Sequence, residues 1–187
     1  MKKLSSATKI EDGSSLERRS ANLTIHAANV LLDEARLTED IEKIAAARIQ
    51  LAHLHFRQGR YSLTQCLLEE VLHDTPTLSL PRCDALRMMG NCAAELGNPQ
   101  NAENYYHQAV DLARLADYPY ALYKCLHSLA TNIYWPRGQF DLCLAAGKEA
   151  LTQAQALNLG EELWFPLSDI AWAYWSTGQR ELAQPIA

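Results

Sequence analysis

Long apolar runs and paired cysteines are both missing from this sequence. A helix needs roughly 20 consecutive apolar residues to cross a bilayer, and charged or polar residues break every stretch of the 187-residue chain well before that length. The five cysteines lie far apart, with no C-x-x-C pair, which is typical of reduced thiols packed as small apolar side chains. No apolar segment follows the lysines near the N-terminus, so we expect a soluble, cytoplasmic protein without a membrane partner.

The motifs that commonly mark an enzyme are missing as well. The sequence contains no Walker loop, no G-x-S-x-G, no H-E-x-x-H and no G-x-G-x-x-G. Its one close histidine pair is His53 and His55, which point to different faces of a helix and therefore share a metal ion poorly. We predict a protein that is not an enzyme and that has neither a cofactor nor a metal site.

Basic residues are too few for a nucleic-acid surface. The chain has 17 Lys and Arg against 22 Asp and Glu, which gives a formal net charge of −5. A nucleic-acid-binding face needs clustered Lys and Arg to neutralise phosphates, so we expect no direct nucleic-acid partner. Apolar residues make up 48% of the chain, which is enough for a folded core.

Glycine, although scarce, recurs at a nearly fixed interval. Four helical patterns end at Gly59, Gly97, Gly138 and Gly178, which are 38, 41 and 40 residues apart. Glycine suits the end of a helix because it adopts the left-handed backbone conformation without a steric penalty. A small residue stands seven positions before each glycine: Ala52, Gly90, Thr131 and Ala171. Small residues let two antiparallel helices approach closely, so the spacing predicts an array of helix pairs that bury a common core.

These positions resemble the tetratricopeptide repeat family. The resemblance is carried by Leu51-Ala52, Gly59-Arg60-Tyr61 and Pro76 in the first copy, and by Tyr134 and Gly138-Gln139-Phe140 in the third. It implies an all-α fold, a right-handed superhelical solenoid of antiparallel helix pairs. The period of about 40 residues, longer than the usual 34 or so, resembles the repeats of large bacterial transcription regulators such as the maltose-regulon activator.

Breaks between the helical patterns divide the chain. We expect a flexible leader at 1–15 and one repeat domain at 16–187, made of a half-pair (16–36), three pairs (about 38–76, 80–117 and 118–158) and a partial pair (161–187). A solenoid normally needs polar caps at its ends. The incomplete pairs therefore suggest either a piece of a longer protein or a homodimer formed through the terminal helices.

The resemblance also implies a binding face, because the first helices of the pairs line the concave side in this family. The inward candidates are His53, Phe56, Arg87, Asn91, Asn132, Trp135, Trp172 and Trp175. A second inward row stands ten positions before the glycines: Ile49, Arg87, Ser128 and Ser168. Asn91 and Asn132 could clamp the backbone of an extended peptide, and Arg87 could hold a carboxylate.

Each of these candidates has a simpler interpretation. The asparagines and Arg87 fit equally a solvated polar surface, and aromatic residues at helical spacing more often pack in a core. Binding of an acidic C-terminal tail is disfavoured, since Cys125 stands where the family's chaperone clamp has a cationic residue.

We expect a scaffold that binds a protein or a peptide. The alternative is an effector-sensing or oligomerisation domain of a bacterial transcription regulator. On the first hypothesis, replacing both Asn91 and Asn132 by alanine should weaken binding with little loss of stability.

Overall fold

The computed structural model describes residues 13–183, with side chains from residue 24, and the regular structure in that range is entirely helical. The helices are α1 (Gly13–Leu37), α2 (Ile41–Arg57), α3 (Tyr61–Asp74), α4 (Leu80–Glu95), α5 (Pro99–Leu115), α6 (Pro119–Leu129), α7 (Phe140–Ala156), α8 (Trp164–Ser176) and α9 (Arg180–Ala183). A π-helical turn (Ala130–Tyr134) follows α6, and a 3-10 turn (Gly160–Leu163) precedes α8. The predicted leader at 1–15 lies outside the described residues, except for 13–15 at the start of α1.

Successive helices pack as antiparallel pairs, which are α2 with α3, α4 with α5, and α6 with α7. The first helices also touch one another, α2 to α4, α4 to α6 and α6 to α8, whereas α3, α5 and α7 are farther apart. A row of helices on the inside of a curve is closer together than the row outside it. The prediction of an all-α solenoid of helix pairs is therefore confirmed, and α2, α4, α6 and α8 form its inner face.

The turns inside the pairs use the predicted glycines. Their φ angles are all positive: 70° at Gly59, 73° at Gly97, 67° at Gly138 and 79° at Gly178. Turns that lead from one pair to the next reach the same left-handed conformation without glycine, at Glu39, Asp117 and Asn158. Asp and Asn tolerate this conformation better than most residues, so these turns carry little strain at two of their three positions.

The closest helix contact lies between α4 and α5. Tyr106 on α5 is fully buried, and its ring lies against the backbone of α4 at Gly90. A Cβ atom at Gly90 would stand 2.5 Å from that ring. Glycine here is required by the close approach of an aromatic ring, because the backbone of Gly90 is ordinary helix.

The third pair contains one residue more than the second. Residues 83–90 and 123–130 share the same order of buried and half-buried positions at an offset of 40, whereas 92–97 match 133–138 at an offset of 41. The extra residue is absorbed by the π-helical turn, in which the N–H of Trp135 donates to the carbonyl of Ala130 at 2.9 Å. Pro136 follows directly and cannot continue the helical bonding.

This insertion corrects the inward row predicted from the glycines. Ser128 is buried, and His127 takes the half-buried place that Arg87 has in the second pair. Ala130, not Thr131, is the counterpart of Gly90. Lys124, not Cys125, occupies the inward position that the sequence left without a cation.

We predict that Gly90→Ala destabilises the fold by about 1–3 kcal/mol, the usual cost of overpacking a core. The matched control is Gly147→Ala, also inside a helix, whose added Cβ would meet the Ile170 side chain at a milder 3.0 Å. There the gain in helix propensity offsets the contact, so we expect a change below about 1 kcal/mol. Urea unfolding measures both, and an increase in stability for Gly90→Ala would contradict the assigned contact.

We predict that iodoacetamide modifies a single cysteine in the native chain. Cys66 is exposed, whereas the other four thiols are buried. Burial raises the pKa of Cys92 and of Cys143 to about 11, which removes the reactive thiolate at neutral pH. Mass spectrometry should find one adduct before unfolding and five after it; rapid addition of a second adduct to folded protein would be inconsistent with this core.

Candidate functional site

The inner face carries the predicted binding residues at different depths. His53, Trp172 and Trp175 are exposed, and Phe56, Arg87, Asn91, Asn132 and Trp135 are half-buried. The structure brings together Asn91 with Asn132 and Trp135 with Trp172. It leaves Phe56 apart from them, packed on Tyr61 at 5.5 Å.

Asn91 and Asn132 are linked through the hydroxyl of Tyr106. The hydroxyl donates to Oδ1 of Asn91 at 2.8 Å, and Nδ2 of Asn132 donates to the hydroxyl at 2.9 Å. Burial raises the pKa of Tyr106 far above its ordinary value, so the group stays protonated. The two amides thus satisfy a buried hydroxyl that reaches across from α5. Their remaining polar atoms, Nδ2 of Asn91 and Oδ1 of Asn132, are the ones available to a partner.

A charged cluster lies between α4 and α6. The carboxylate of Asp84 faces Arg87 at 3.6 Å and Lys124 at 3.4 Å, so one anion serves two cations. The Nε of Arg87 is buried without a hydrogen-bond acceptor in the described part of the chain. His53 is exposed but partly screened from water by its neighbours; this partial desolvation, and then the charge of Arg87, lower the pKa of its imidazole, so that it is neutral at neutral pH.

Arg87 and Lys124 border a shallow cavity of about 220 Å³, which is called the α4–α6 cleft below. It is lined by Arg87, Tyr120, Tyr123, Lys124, His127, Ser128, Glu162 and Phe165. The ammonium of Lys124 lies 5.1 Å from the centre of the Tyr120 ring. Sequence reasoning missed Lys124 because the π-helical turn displaces it by one position.

A second cavity, of about 340 Å³, lies between α6 and α8 and is named the α6–α8 cleft. It is lined by His127, Thr131, Trp135, Cys143, Ser168, Asp169 and Trp172. Nδ1 of His127 lies 2.7 Å from Oδ2 of Asp169, and the Thr131 hydroxyl donates to Oδ1 at 3.3 Å. The extra residue of the third pair therefore lets two side chains, one helical turn apart, meet one carboxylate.

The aromatic residues of α8 are only partly packed. Trp172 meets the half-buried Trp135 edge to face, with ring centres 5.7 Å apart, yet it stays 58% exposed. Trp175 is 53% exposed and lies under the guanidinium of Arg180 at 4.8 Å. The described residues thus leave much of both indole surfaces open, as an interaction surface requires.

Among the side chains described, those of residues 24–183, no three from His, Cys, Asp or Glu converge as ligands for a metal ion. Over the same range, none of the helices combines the length and the apolar character needed to span a bilayer.

Comparison with known proteins supports the repeat fold. Residues 84–114 match the tetratricopeptide repeat family model. A search of curated proteins gave no match. Among solved structures, the chain is similar to BtubC (BKLC) from P. vanneervenii, with a TM-score of 0.71 and 16% identity over 89% of this chain and 88% of that one.

A second similar structure is a putative kinesin light chain from Podosopora anserina, described as having nearly identical TPR-like repeats and solved as a single-substitution variant. It aligns with a TM-score of 0.62 and 18% identity, over 89% of this chain and 91% of that chain. At these identities the likeness shows the fold alone, a TPR-like solenoid. The resemblance to transcription regulators rests on the repeat length in the sequence.

The link through Tyr106 changes what we expect of the asparagine variants. Asn91→Ala with Asn132→Ala leaves a fully buried hydroxyl without a partner, which costs about 1–3 kcal/mol. Tyr106→Phe removes the hydroxyl itself, and the half-buried amides can turn to water, so its cost should be about 0.5–1.5 kcal/mol. Thermal and urea unfolding compare the two. Equal stability of the double variant and the parent chain would mean that this link is not formed.

Proposed function

We propose that the chain is a non-catalytic scaffold that binds a protein or a peptide along its inner face, and that it belongs to a larger bacterial protein of the cytoplasm. The observation that carries the proposal is the composition of that face. Exposed and half-buried aromatic rings lie there beside polar side chains that are positioned by hydrogen bonds and ion pairs with neighbouring helices. Aromatic and Arg side chains dominate the binding energy of most protein interfaces.

The α4–α6 cleft supplies the clearest anchor for a partner. Glu162 also lines the cleft, but its carboxylate accepts from the Tyr120 hydroxyl at 3.4 Å. Arg87 and Lys124 therefore share Asp84 as their ion-pair partner, and a carboxylate of the partner would complete their pairing. A carboxylate from an Asp or Glu side chain, or from a chain end, has this chemistry. The unpaired atoms of Asn91 and Asn132 lie on the same helix row and are suited to the backbone of an extended segment.

An effector-sensing domain of a transcription regulator is the second candidate. A site that encloses a small molecule usually has a volume of about 300–1,000 Å³ and buries most of its ligand. The α6–α8 cleft, at about 340 Å³, is at the lower end of that range and open to solvent. Its size favours one side chain of a partner over a whole effector.

We predict that Arg87→Gln weakens peptide binding at least tenfold. The loss of one hydrogen-bonded charge is worth about 1.5–3 kcal/mol, and 1.4 kcal/mol corresponds to a factor of ten. The control is Arg114→Gln, which removes an equal charge from α5 on the outer side, where Arg114 pairs with Glu149 at 2.7 Å. Peptides selected from a random displayed library serve as ligands, and fluorescence anisotropy gives each affinity.

The outcome depends on three measurements. Selected peptides should contain an acidic residue, lose affinity when it is replaced by its amide, and bind Arg114→Gln normally. Failure of the library to enrich any peptide would argue against a peptide-binding face. Equal binding of Arg87→Gln and the parent chain would place the binding surface elsewhere.

A further inference from the structure

The polar side chains of the α6–α8 cleft already donate hydrogen bonds within the chain. The Thr131 hydroxyl donates to Asp169, and the Ser168 hydroxyl donates to the carbonyl of Phe165 at 2.7 Å. The short contact of His127 Nδ1 with the Asp169 carboxylate, 2.7 Å, places the imidazole proton on that nitrogen. The hydroxyls of Thr131 and Ser168 therefore offer only lone pairs to a ligand.

A carboxylate forms the floor of the cleft. Asp169 is only 8% exposed, and its two oxygens contact Nδ1 of His127 and the hydroxyl of Thr131. The neighbouring hydroxyls of Thr131 and Ser168 carry no charge. The floor of the cleft is consequently a buried carboxylate beside hydroxyl oxygens that can act as hydrogen-bond acceptors.

The walls of the cleft are aromatic. Trp135 and Trp172, both lining residues, are in edge-to-face contact with each other, and Trp172 presents more than half of its surface to solvent. The electron-rich face of an indole attracts cations, and Trp is the strongest of the aromatic residues in this respect. Among hydrogen-bonding groups, only a cation such as a guanidinium or an ammonium donates in several directions without accepting.

We propose that the α6–α8 cleft binds a cationic side chain of the partner, an arginine or a lysine, with its charge on Asp169 and its stem against Trp135 and Trp172. The net charge of −5 would favour the approach of a basic segment. Arginine fits better than lysine, because its planar guanidinium both stacks on indole and forms paired hydrogen bonds with a carboxylate.

The position of this cleft deepens the proposed function, on which it rests for the identity of the ligand as part of a protein. His127 lines both clefts, so a partner's basic residue over α6 and α8 would lie next to its acidic residue over α4 and α6. An extended segment with opposite charges would then bind in one direction only, because reversal would place each charge against its like.

The test uses N-acetyl-arginine amide and its neutral isostere, N-acetyl-citrulline amide, titrated into the full chain. The indole N–H resonances report binding by NMR, and the chain has four tryptophans. Arginine amide should shift the signals of Trp135 and Trp172 to saturation and leave that of Trp164 unmoved. Citrulline amide should bind at least tenfold more weakly. Equal shifts with both probes, or shifts confined to other tryptophans, would overturn the proposal.

Two variants separate binding from folding. Asp169→Asn should abolish saturable binding of arginine amide, but it also disturbs the bonds to His127 and Thr131. Trp172→Leu changes a side chain that is largely exposed, so the fold should persist while the affinity falls at least tenfold. Trp164→Leu, equally exposed on the same helix at 62%, is the matched control and should bind the probe normally. Normal binding by Trp172→Leu would also overturn the proposal.

The two proposals fail in distinguishable ways. If arginine amide does not bind but library peptides still depend on Arg87, the cationic subsite is wrong and the binding face stands. If arginine amide binds but no peptide is enriched, the subsite stands and the peptide-binding role falls.

Discussion

The ring and the hydroxyl of Tyr106 tie together three helical segments. Its ring needs the bare backbone of Gly90 on α4, and its hydroxyl reaches Asn91 on α4 and Asn132 in the π-helical turn. One side chain from the outer row therefore sets both the distance between α4 and α5 and the alignment of the second pair with the third. The amide atoms of Asn91 and Asn132 that the inner face offers to a partner are those left over from this contact.

Much of the fold could be predicted from the sequence, because its signals are local. A glycine at the end of a helical pattern favours the left-handed conformation that stops the helix, and the four predicted turns inside the pairs do contain such a glycine. The link through Tyr106 joins residues that are far apart in the chain, so no local pattern predicts it. The sizes of the facing residues nevertheless indicate it. Gly90 is the smallest of the four residues that stand seven positions before the turn glycines. It faces Tyr106, the largest side chain at the equivalent positions of the second helices. Such size complementarity between helices indicates direct contact.

The one-residue shift in the third pair could not have been found from the glycines. An interval of 41 between glycines, beside intervals of 38 and 40, is as consistent with a longer turn as with an insertion inside a helix. Only the hydrogen bond from Trp135 to Ala130 locates the extra residue. The shift moves His127 and Lys124 inward and buries Ser128, so the electrostatic character of the face depends on a backbone detail that composition does not reveal.

The inner face has one cleft with cationic side chains and one with a carboxylate, because the charged side chains of α4, α6 and α8 pair differently in each. Between α4 and α6, Arg87 and Lys124 share the carboxylate of Asp84; between α6 and α8, His127 and Thr131 contact the carboxylate of Asp169. The outer ion pairs, such as Arg114 with Glu149, are largely exposed and contribute only about 0–1 kcal/mol each. Stability therefore resides in the buried small and aromatic residues, and the charges of the inner face are free to serve recognition. Because the buried and half-buried pattern is the same in the second and third pairs, residues 84, 87, 124 and 127 can differ in charge without disturbing the stack that presents them.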